Sequence, residues 1–168
     1  MFEDHFGPEI AQSYDESVAE MFDPAAVEPA VGVLTELAGD GRALEFAIGT
    51  GRIALPLAAH GVAVCGIELS EAMVEQLRQK PGGRELPVTV GDMASTSVED
   101  TFGLVYLVFN TIGNLTTQDE QVACFSNAAS HLEPGGCFVV EVGVPEIRRL
   151  PHGERHVVSR GQRPLGHR

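Results

Sequence analysis

The sequence is poor in basic residues and contains no tryptophan. Its 168 residues include 11 Lys and Arg against 24 Asp and Glu, which gives a net charge of −13. A surface this acidic repels the phosphate backbones of nucleic acids, so we do not expect nucleic acid as a partner. The length allows one domain core, and the ordinary hydrophobic content of 43% predicts that the chain folds around it.

Cysteines and long apolar runs are also scarce. Cys65, Cys124 and Cys137 form no C-x-x-C pair, so they predict neither a disulfide framework nor a zinc site. No apolar run approaches the roughly 18 residues of a membrane span, and residues 1–5 are acidic where a secretory signal is basic. We therefore expect a cytoplasmic chain with no membrane partner and no bound metal.

Charge and hydropathy divide the chain into three segments. Residues 1–40 contain ten acids and no Lys or Arg, and helical spacing of their apolar residues predicts helices at about 8–20 and 24–38. These helices form an N-terminal cap. Residues 151–168 hold four Arg and one Glu and form a short basic tail, which leaves 41–150 as the core.

The core alternates strands and helices. Five short apolar runs predict buried strands at residues 43–47, 62–67, 87–90, 104–109 and 137–142. Helical stretches lie between them at about 52–60, 71–80 and 118–132. This alternation predicts an α/β fold, a doubly wound and mainly parallel sheet of the Rossmann-like kind.

A glycine turn follows the first predicted strand. Gly49 and Gly51 allow backbone N–H groups and a helix N-terminus to approach a ligand, since a Cβ would hold the ligand away. Glu68 ends the second strand, where its carboxylate can accept both hydroxyls of a ribose, so the pattern predicts a ligand of adenosine type. With Ala54 in third place, the turn also fits the dinucleotide fingerprint, and the glycines alone do not decide between the two cofactor families.

Further motifs precede the glycine turn, follow the third strand and lead into the fifth. They are Glu45, Gly91-Asp92-Met93 and Leu132-Glu133-Pro134-Gly135-Gly136. Over residues 42–150 the sequence resembles the class I S-adenosylmethionine-dependent methyltransferases, and within them the small-molecule enzymes with a helical N-terminal cap. The resemblance implies S-adenosylmethionine as cofactor and a small molecule as methyl acceptor.

The resemblance also implies cofactor-binding residues, position by position. In the loop that holds the methionine part of the cofactor they are Glu45, Ala47, Gly49, Gly51 and Arg52, with Ala47 in place of the family's first glycine. Glu68 matches the acid that binds the ribose. Around the adenine they are Leu69, Met73, Asp92 and Met93. At the transfer end they are Tyr14, Phe109 and Asn110.

The residues alone leave other roles open for several of these positions. Glu45 could orient the loop at the strand end, Met73 could belong to the core, and Asp92 could cap the next turn. Tyr14 and Asn110 are the candidate catalytic residues, with packing as a lid and loop stabilisation as their respective alternatives. Methyl transfer requires alignment more than a dedicated base, so amine and hydroxyl acceptors both fit.

Four of the six histidines show no ligand-like spacing and are expected at the surface. They are His131, His152, His156 and His167.

The end of the chain departs from the family pattern, in which a sixth and a seventh strand form an antiparallel hairpin. Both strands are missing from the expected fold here, since residues 145–150 predict a short helix and only 156–159 resemble a strand. The fifth strand would then be an exposed apolar edge. We expect a homodimer or aggregate through that edge, or its coverage by the tail.

Three hypotheses about function follow. The first is an active small-molecule methyltransferase. The second is a shortened homologue that binds S-adenosylmethionine without catalysis. The third is a nicotinamide-dependent oxidoreductase, which only the glycine spacing and Glu68 support.

Overall fold

The computed structural model describes residues 6–143. Before the sheet, the chain forms helix α1 (Pro8–Ser17), a 3₁₀ helix (Ala19–Phe22) and helix α2 (Pro24–Ala38). The elements of the sheet and its connections are β1 (Arg42–Phe46), α3 (Ala54–Ala59), β2 (Ala63–Glu68), α4 (Glu71–Gln79), β3 (Val88–Val90), β4 (Phe102–Leu107), a second 3₁₀ helix (Thr111–Asn114), α5 (Gln118–His131) and β5 (Leu132–Val140).

Local signals explain where the helices begin and end. The Asp23 side chain accepts the Ala25 N–H at 2.8 Å and so caps α2, which opens with Pro24 at its first position. Gly39, with a φ of +53°, ends that helix. Thr117 and Glu120 form a reciprocal capping box at the start of α5.

The sheet has five parallel strands in the order β3-β2-β1-β4-β5, and this confirms the predicted doubly wound α/β fold. From β1 the chain moves outward through β2 to β3 and then crosses to β4 on the opposite side of β1. The direction therefore reverses between β1 and β4. In sheets of this kind ligands bind beyond the carboxyl ends of the strands at such a point.

A hydrophobic core lies on each face of the sheet. One core contains Val31 of α2, Leu57 of α3 and Leu104 of β4, and the other contains Val105 of β4 and Ala128 of α5. Leu104 and Val105 are successive residues of β4, so their side chains point to opposite faces of the sheet. Because each of them packs with residues of at least one helix, helices cover both faces. Helix α2 thus packs on the sheet, whereas α1 contacts α4 beside the glycine turn.

β5 begins earlier than its apolar run predicts. Leu132 pairs with Phe102, the register then shifts, and pairing resumes between Cys137 and Leu104. The bulge explains how the strand accommodates the Pro-Gly-Gly segment. Within residues 6–143, β5 is an edge strand, while the predicted helix at 145–150, the predicted strand at 156–159 and the basic tail lie outside the described residues.

The expectation that His131 lies at the surface is wrong. The side chain is buried at the end of α5, where its Nε2 accepts the Val98 N–H at 2.9 Å. Its Nδ1 lies 2.7 Å from the Asn127 carbonyl oxygen, to which it donates in the neutral ring. His131 therefore ties the loop before β4 to α5. The other three histidines named with it lie outside the described residues.

Two structural features are absent from residues 6–143. No helix there combines the length and the apolar character that crossing a membrane requires. The same part of the chain holds no group of three or more metal-ligating side chains.

Candidate functional site

The glycine loop, residues 49–51, turns sharply after β1. The Ile48 N–H pairs with the Ile67 carbonyl at 3.0 Å, and the Gly51 N–H returns to the Ile48 carbonyl at 3.0 Å. Gly51 has a φ of +82°, and a Cβ there would lie 2.4 Å from Leu77 Cδ1 of α4. Glycine at this position lets α4 pack close beneath the loop.

The Glu68 carboxylate joins the glycine loop to the end of β2. Its Oε2 accepts the Gly49 N–H at 2.8 Å and its Oε1 accepts the Ser70 N–H at 2.9 Å, while the residue is 6% exposed. Charge-assisted hydrogen bonds of this kind hold a carboxylate ionised in a buried position. A negative group therefore lies against the loop where the sequence predicts a ribose.

Glu45 and Tyr106 are direct neighbours on β1 and β4, and the Tyr106 hydroxyl donates to Glu45 Oε2 at 2.9 Å. Both side chains are buried. Burial raises the pKa of Glu45 to about 8, although the Tyr106 hydrogen bond and the charge of Arg52 lower it. The acid before the glycine loop is therefore largely protonated at neutral pH.

Arg52 connects the glycine loop to two other parts of the site. Its guanidinium lies 4.9 Å from the centroid of the Phe109 ring, and its Nη1 donates to the Met21 carbonyl at 3.3 Å. Phe109 comes just after β4 and Met21 lies in the first 3₁₀ helix. The stacking of the cation on the ring and the hydrogen bond hold these segments against the loop.

Tyr14 reaches the same region from α1. Its ring stands edge-on to Phe6 at 5.8 Å between centroids. Burial raises the pKa of its hydroxyl, Arg52 lowers it, and Asp15 and Glu68 raise it further. Tyr14 thus lies within the electrostatic field of the glycine loop and stays protonated as a hydrogen-bond donor.

Asp92 ends the turn after β3, beside Glu68. The Gly91 N–H pairs with the Glu68 carbonyl at 2.8 Å, and Asp92 Oδ1 accepts the Ala94 N–H at 2.8 Å. The other carboxylate oxygen, Oδ2, is buried and has no hydrogen-bond partner among the described residues. One oxygen of Asp92 therefore caps the turn, as one of the two predictions has it, and the other oxygen can accept a hydrogen bond from a ligand.

Asn110 and Phe109 form a left-handed turn beyond β4, with φ values of +56° and +61°. Glu141, just after β5, supports this turn because its Oε2 accepts the Phe109 N–H at 2.7 Å and its carbonyl accepts the Asn110 N–H at 3.2 Å. The Asn110 side chain accepts the Gly143 N–H at 3.0 Å. Loop stabilisation by Asn110, one of its two expected roles, is thus present.

Most of the predicted residues come together around the glycine loop. Met73 is buried beneath it, with its Cε 3.6 Å from the position of a Cβ on Gly49, and Met93 is buried beyond β3. Leu69 is 37% exposed on the same edge of the sheet. Ala47 has a φ of +52°, a left-handed conformation that glycine adopts without strain and that an L-residue rarely adopts.

Three further residues lie around this site that were not among the predicted site residues: Asp15, Lys80 and Glu141. Asp15 and Lys80 contact Thr50 of the loop, and Glu141 supports the turn after β4. Glu141 had a signal, since an acid directly after the apolar run of a strand falls at the ligand-binding edge of the sheet. Asp15 had a weaker signal, since it follows Tyr14 in a Tyr-Asp pair that resembles the N-terminal pair of the family. Lys80 had none, because its contact joins positions 30 residues apart.

The sheet order, the glycine loop after β1 and the acids after β2 and β3 define a protein of the doubly wound α/β class with a candidate ligand site at the carboxyl edge of its sheet. Residues 43–136, more than half of the chain, match the family model of the methyltransferase domain. The chain belongs to this methyltransferase family, and the resemblance seen in the sequence is confirmed.

Relatives agree with this assignment. The cypemycin N-terminal methyltransferase of a Streptomyces species is 29% identical over 161 residues, which cover 91% of this chain and 64% of the relative. The structure of the CcbJ methyltransferase from Streptomyces caelestis is 38% identical with a TM-score of 0.69, covering 80% of this chain and 56% of that one.

A third relative was solved with cofactor. It is CalS10 of Micromonospora echinaspora, described as an amino pentose methyltransferase bound to S-adenosylmethionine, and is 27% identical with a TM-score of 0.64. The match covers 86% of this chain and 60% of CalS10. The chain thus spans less than two thirds of each of these three relatives.

Proposed function

We propose that this chain binds S-adenosylmethionine across the carboxyl ends of β1, β2 and β3 and transfers its methyl group to an amine of a small molecule. Membership of the methyltransferase family and the cofactor-bound relative CalS10 support the cofactor. The names of two relatives, an N-terminal methyltransferase and an amino pentose methyltransferase, support an amine over a hydroxyl.

The buried Oδ2 of Asp92 carries the proposal. A buried acceptor without a donor costs about 1–3 kcal/mol, and the amino group of an adenine would supply that donor. Because the Ala94 N–H already holds the other oxygen, Asp92 is oriented before a ligand arrives. We assign the neighbouring Met93 N–H to a ring nitrogen of the base.

Other residues around the glycine loop fit the rest of the cofactor. Glu68 supplies a buried carboxylate for the ribose hydroxyls, and Leu69 and Met73 supply apolar surface beside the adenine. We assign the methionine part of the cofactor to residues 47–52, which include the glycine loop and follow the protonated Glu45. Ala47, Gly49 and Gly51 have positive φ values in this segment, and the two glycines carry no Cβ that would keep a ligand away from the backbone.

The cofactor, when bound, supplies a methyl group activated on a sulfonium. The chain has to hold the acceptor nitrogen in line with that methyl and to exclude water. We assign this alignment to Tyr14, which donates a hydrogen bond from α1, and to the Phe109–Asn110 turn, which Arg52 and Glu141 hold in place. An amine that arrives deprotonated needs no dedicated base.

The alternative to this proposal is that the chain binds the cofactor without catalysis. The chain spans less than two thirds of each of these relatives, so turnover is measured separately from binding. The three cysteines are all free, which fits our proposal of a cytoplasmic location.

Calorimetric titration with S-adenosylhomocysteine and, separately, with NAD tests the cofactor. We expect S-adenosylhomocysteine to bind and NAD not to bind. Asp92→Asn should raise the Kd for S-adenosylhomocysteine about tenfold or more, because an amide has only one acceptor oxygen in place of two. Glu68→Ala should abolish binding. Asp119→Asn, an exposed acid in the first turn of α5, is the matched control and should bind as the wild type does.

Transfer is then measured by mass spectrometry with S-adenosylmethionine and a panel of amino sugars and peptides with free N-termini. Methylation of an amine supports the full proposal. Binding without methylation of any acceptor supports the non-catalytic alternative. Binding of NAD in place of S-adenosylhomocysteine, or of neither ligand, contradicts the proposal.

A further inference from the structure

Asp15 links helix α1 to the glycine loop. Its Oδ1 accepts a hydrogen bond from the Thr50 hydroxyl at 2.6 Å, and its Oδ2 forms an ion pair with the ammonium group of Lys80 at the end of α4. Lys80 also donates to the Thr50 carbonyl at 2.8 Å. These three residues form a closed set of contacts, which we call the clasp.

Thr50 is the part of the clasp that belongs to the cofactor loop. It lies between two glycines with φ values of +56° and +82°, and it is 2% exposed. A segment flanked by glycines has many accessible backbone conformations, so its shape must be fixed by contacts from outside. The clasp occupies both the hydroxyl and the carbonyl of Thr50, one from α1 and one from α4.

Other contacts hold the same N-terminal segment in place. The Lys80 ammonium lies 4.9 Å from the centroid of the Phe22 ring, and the Ser70 hydroxyl donates to the Phe6 carbonyl at 2.7 Å. The side chains of Asp15 and Lys80 retain 37% and 24% of their exposure. The ion pair is therefore partly shielded from water, and its attraction is stronger than that of a fully exposed pair.

We propose that Asp15 is a positioning residue for cofactor binding. By joining Thr50 to Lys80 it fixes the glycine loop in the conformation that receives the ligand, and it holds its chain neighbour Tyr14 at the site. The inference rests on the proposed function. It predicts that breaking the clasp weakens cofactor binding and leaves the transfer step almost unchanged, since Asp15 does not contact the reacting atoms.

Four variants test the clasp by calorimetry with S-adenosylhomocysteine. Asp15→Ala removes both contacts of the carboxylate, and we expect its Kd to rise about tenfold. Asp15→Asn retains an oxygen for the Thr50 hydroxyl and should show a smaller rise. Lys80→Met breaks the clasp from the end of α4, should also raise the Kd and leaves the sequence of α1 unchanged. A rise in its Kd therefore cannot come from a disturbed α1 sequence. Glu16→Gln, the exposed neighbouring acid, should match the wild type.

Two further measurements separate positioning from a general loss of structure. In steady-state kinetics, the KM for S-adenosylmethionine should rise in Asp15→Ala while kcat changes by less than about threefold. Without cofactor, amide hydrogen exchange at Gly49 and Gly51 should be faster in Asp15→Ala and Lys80→Met than in Glu16→Gln, with amides of β1 unchanged.

The outcomes decide the inference separately from the proposed function. Unchanged loop exchange in both clasp variants overturns it, and so does an unchanged Kd. Equal losses of kcat and kcat/KM would also overturn it, because they would place Asp15 in the transfer step. If the wild type binds no S-adenosylhomocysteine, the proposed function fails, and hydrogen exchange still decides whether Asp15 fixes the loop.

Discussion

Ala47 carries a side chain where the backbone has a φ of +52°. This conformation costs an L-residue about 1–2 kcal/mol, and glycine avoids that cost although it loses more entropy on folding. We predict that Ala47→Gly raises the free energy of unfolding by about 0.5–1 kcal/mol. Denaturant titration measures it. Ala129→Gly, at an exposed position in the last turn of α5, should instead lower stability by up to about 1 kcal/mol, and equal losses in both variants would refute the strain argument.

Glu45 predicts a pH dependence of stability. Burial raises its pKa to about 8 in the folded chain, so between about pH 5 and pH 8 the folded state holds a proton that the unfolded state releases. Stability therefore falls as pH rises through this window, by up to about 1.4 kcal/mol per pH unit from this group.

Glu45→Gln should remove this component, so that the variant gains stability relative to the wild type as the pH rises from 5 to 8. Thermal unfolding across that range measures the difference between the two proteins. Glu36→Gln, an exposed acid of α2, should follow the wild-type profile. A constant difference between Glu45→Gln and the wild type across the range would show that Glu45 is ionised throughout.

At the scale of elements, β5 is one of the two edge strands of the described sheet, and β3 is the other. The residues of β5 from Cys137 to Val140 are half-buried and apolar, and an unpaired apolar edge favours pairing with another chain. The homodimer expected from the sequence therefore stays a prediction of this edge. Each copy carries a net charge of −13, so repulsion opposes association at low salt.

Sedimentation velocity at low and at high potassium chloride tests the edge. We expect the dimer fraction to increase with protein concentration and with salt, because salt screens the repulsion between acidic copies and leaves strand pairing intact. A monomer at all concentrations and both salt levels would mean that something else covers the edge or that the edge does not pair.

At the scale of the whole molecule, ligand binding at the glycine loop joins all the segments around it. Loop contacts extend to α1, the first 3₁₀ helix, α4 and the turn after β4. A ligand that binds only the folded state stabilises it by about 2.7 kcal/mol at a concentration 100 times its Kd.

For a chain of this size such a gain raises Tm by about 5–10 °C. We predict that shift for S-adenosylhomocysteine and none for NAD at the same concentration. Differential scanning fluorimetry measures both. A shift with NAD alone would favour the oxidoreductase hypothesis, and a shift with neither would leave the loop without a nucleoside ligand.

The sequence by itself determined the order of helices and strands, the parallel sheet and which acids lie along one edge of that sheet. These follow from local signals: short apolar runs, the glycines of the turn, and acids placed at strand ends. Glu45, Glu68 and Asp92 were predicted because each stands within two residues of the end of a strand, and parallel strands bring those ends to one edge.

Only the tertiary structure decided how those residues are held. Pairing between β1 and β4 brings Tyr106 to Glu45, and packing of α5 buries His131 against the Val98 N–H. The clasp joins Asp15 to a loop 35 residues away. Such contacts depend on which surfaces meet when the chain collapses, and neither periodicity nor turn chemistry encodes the partner of a side chain that far along the sequence.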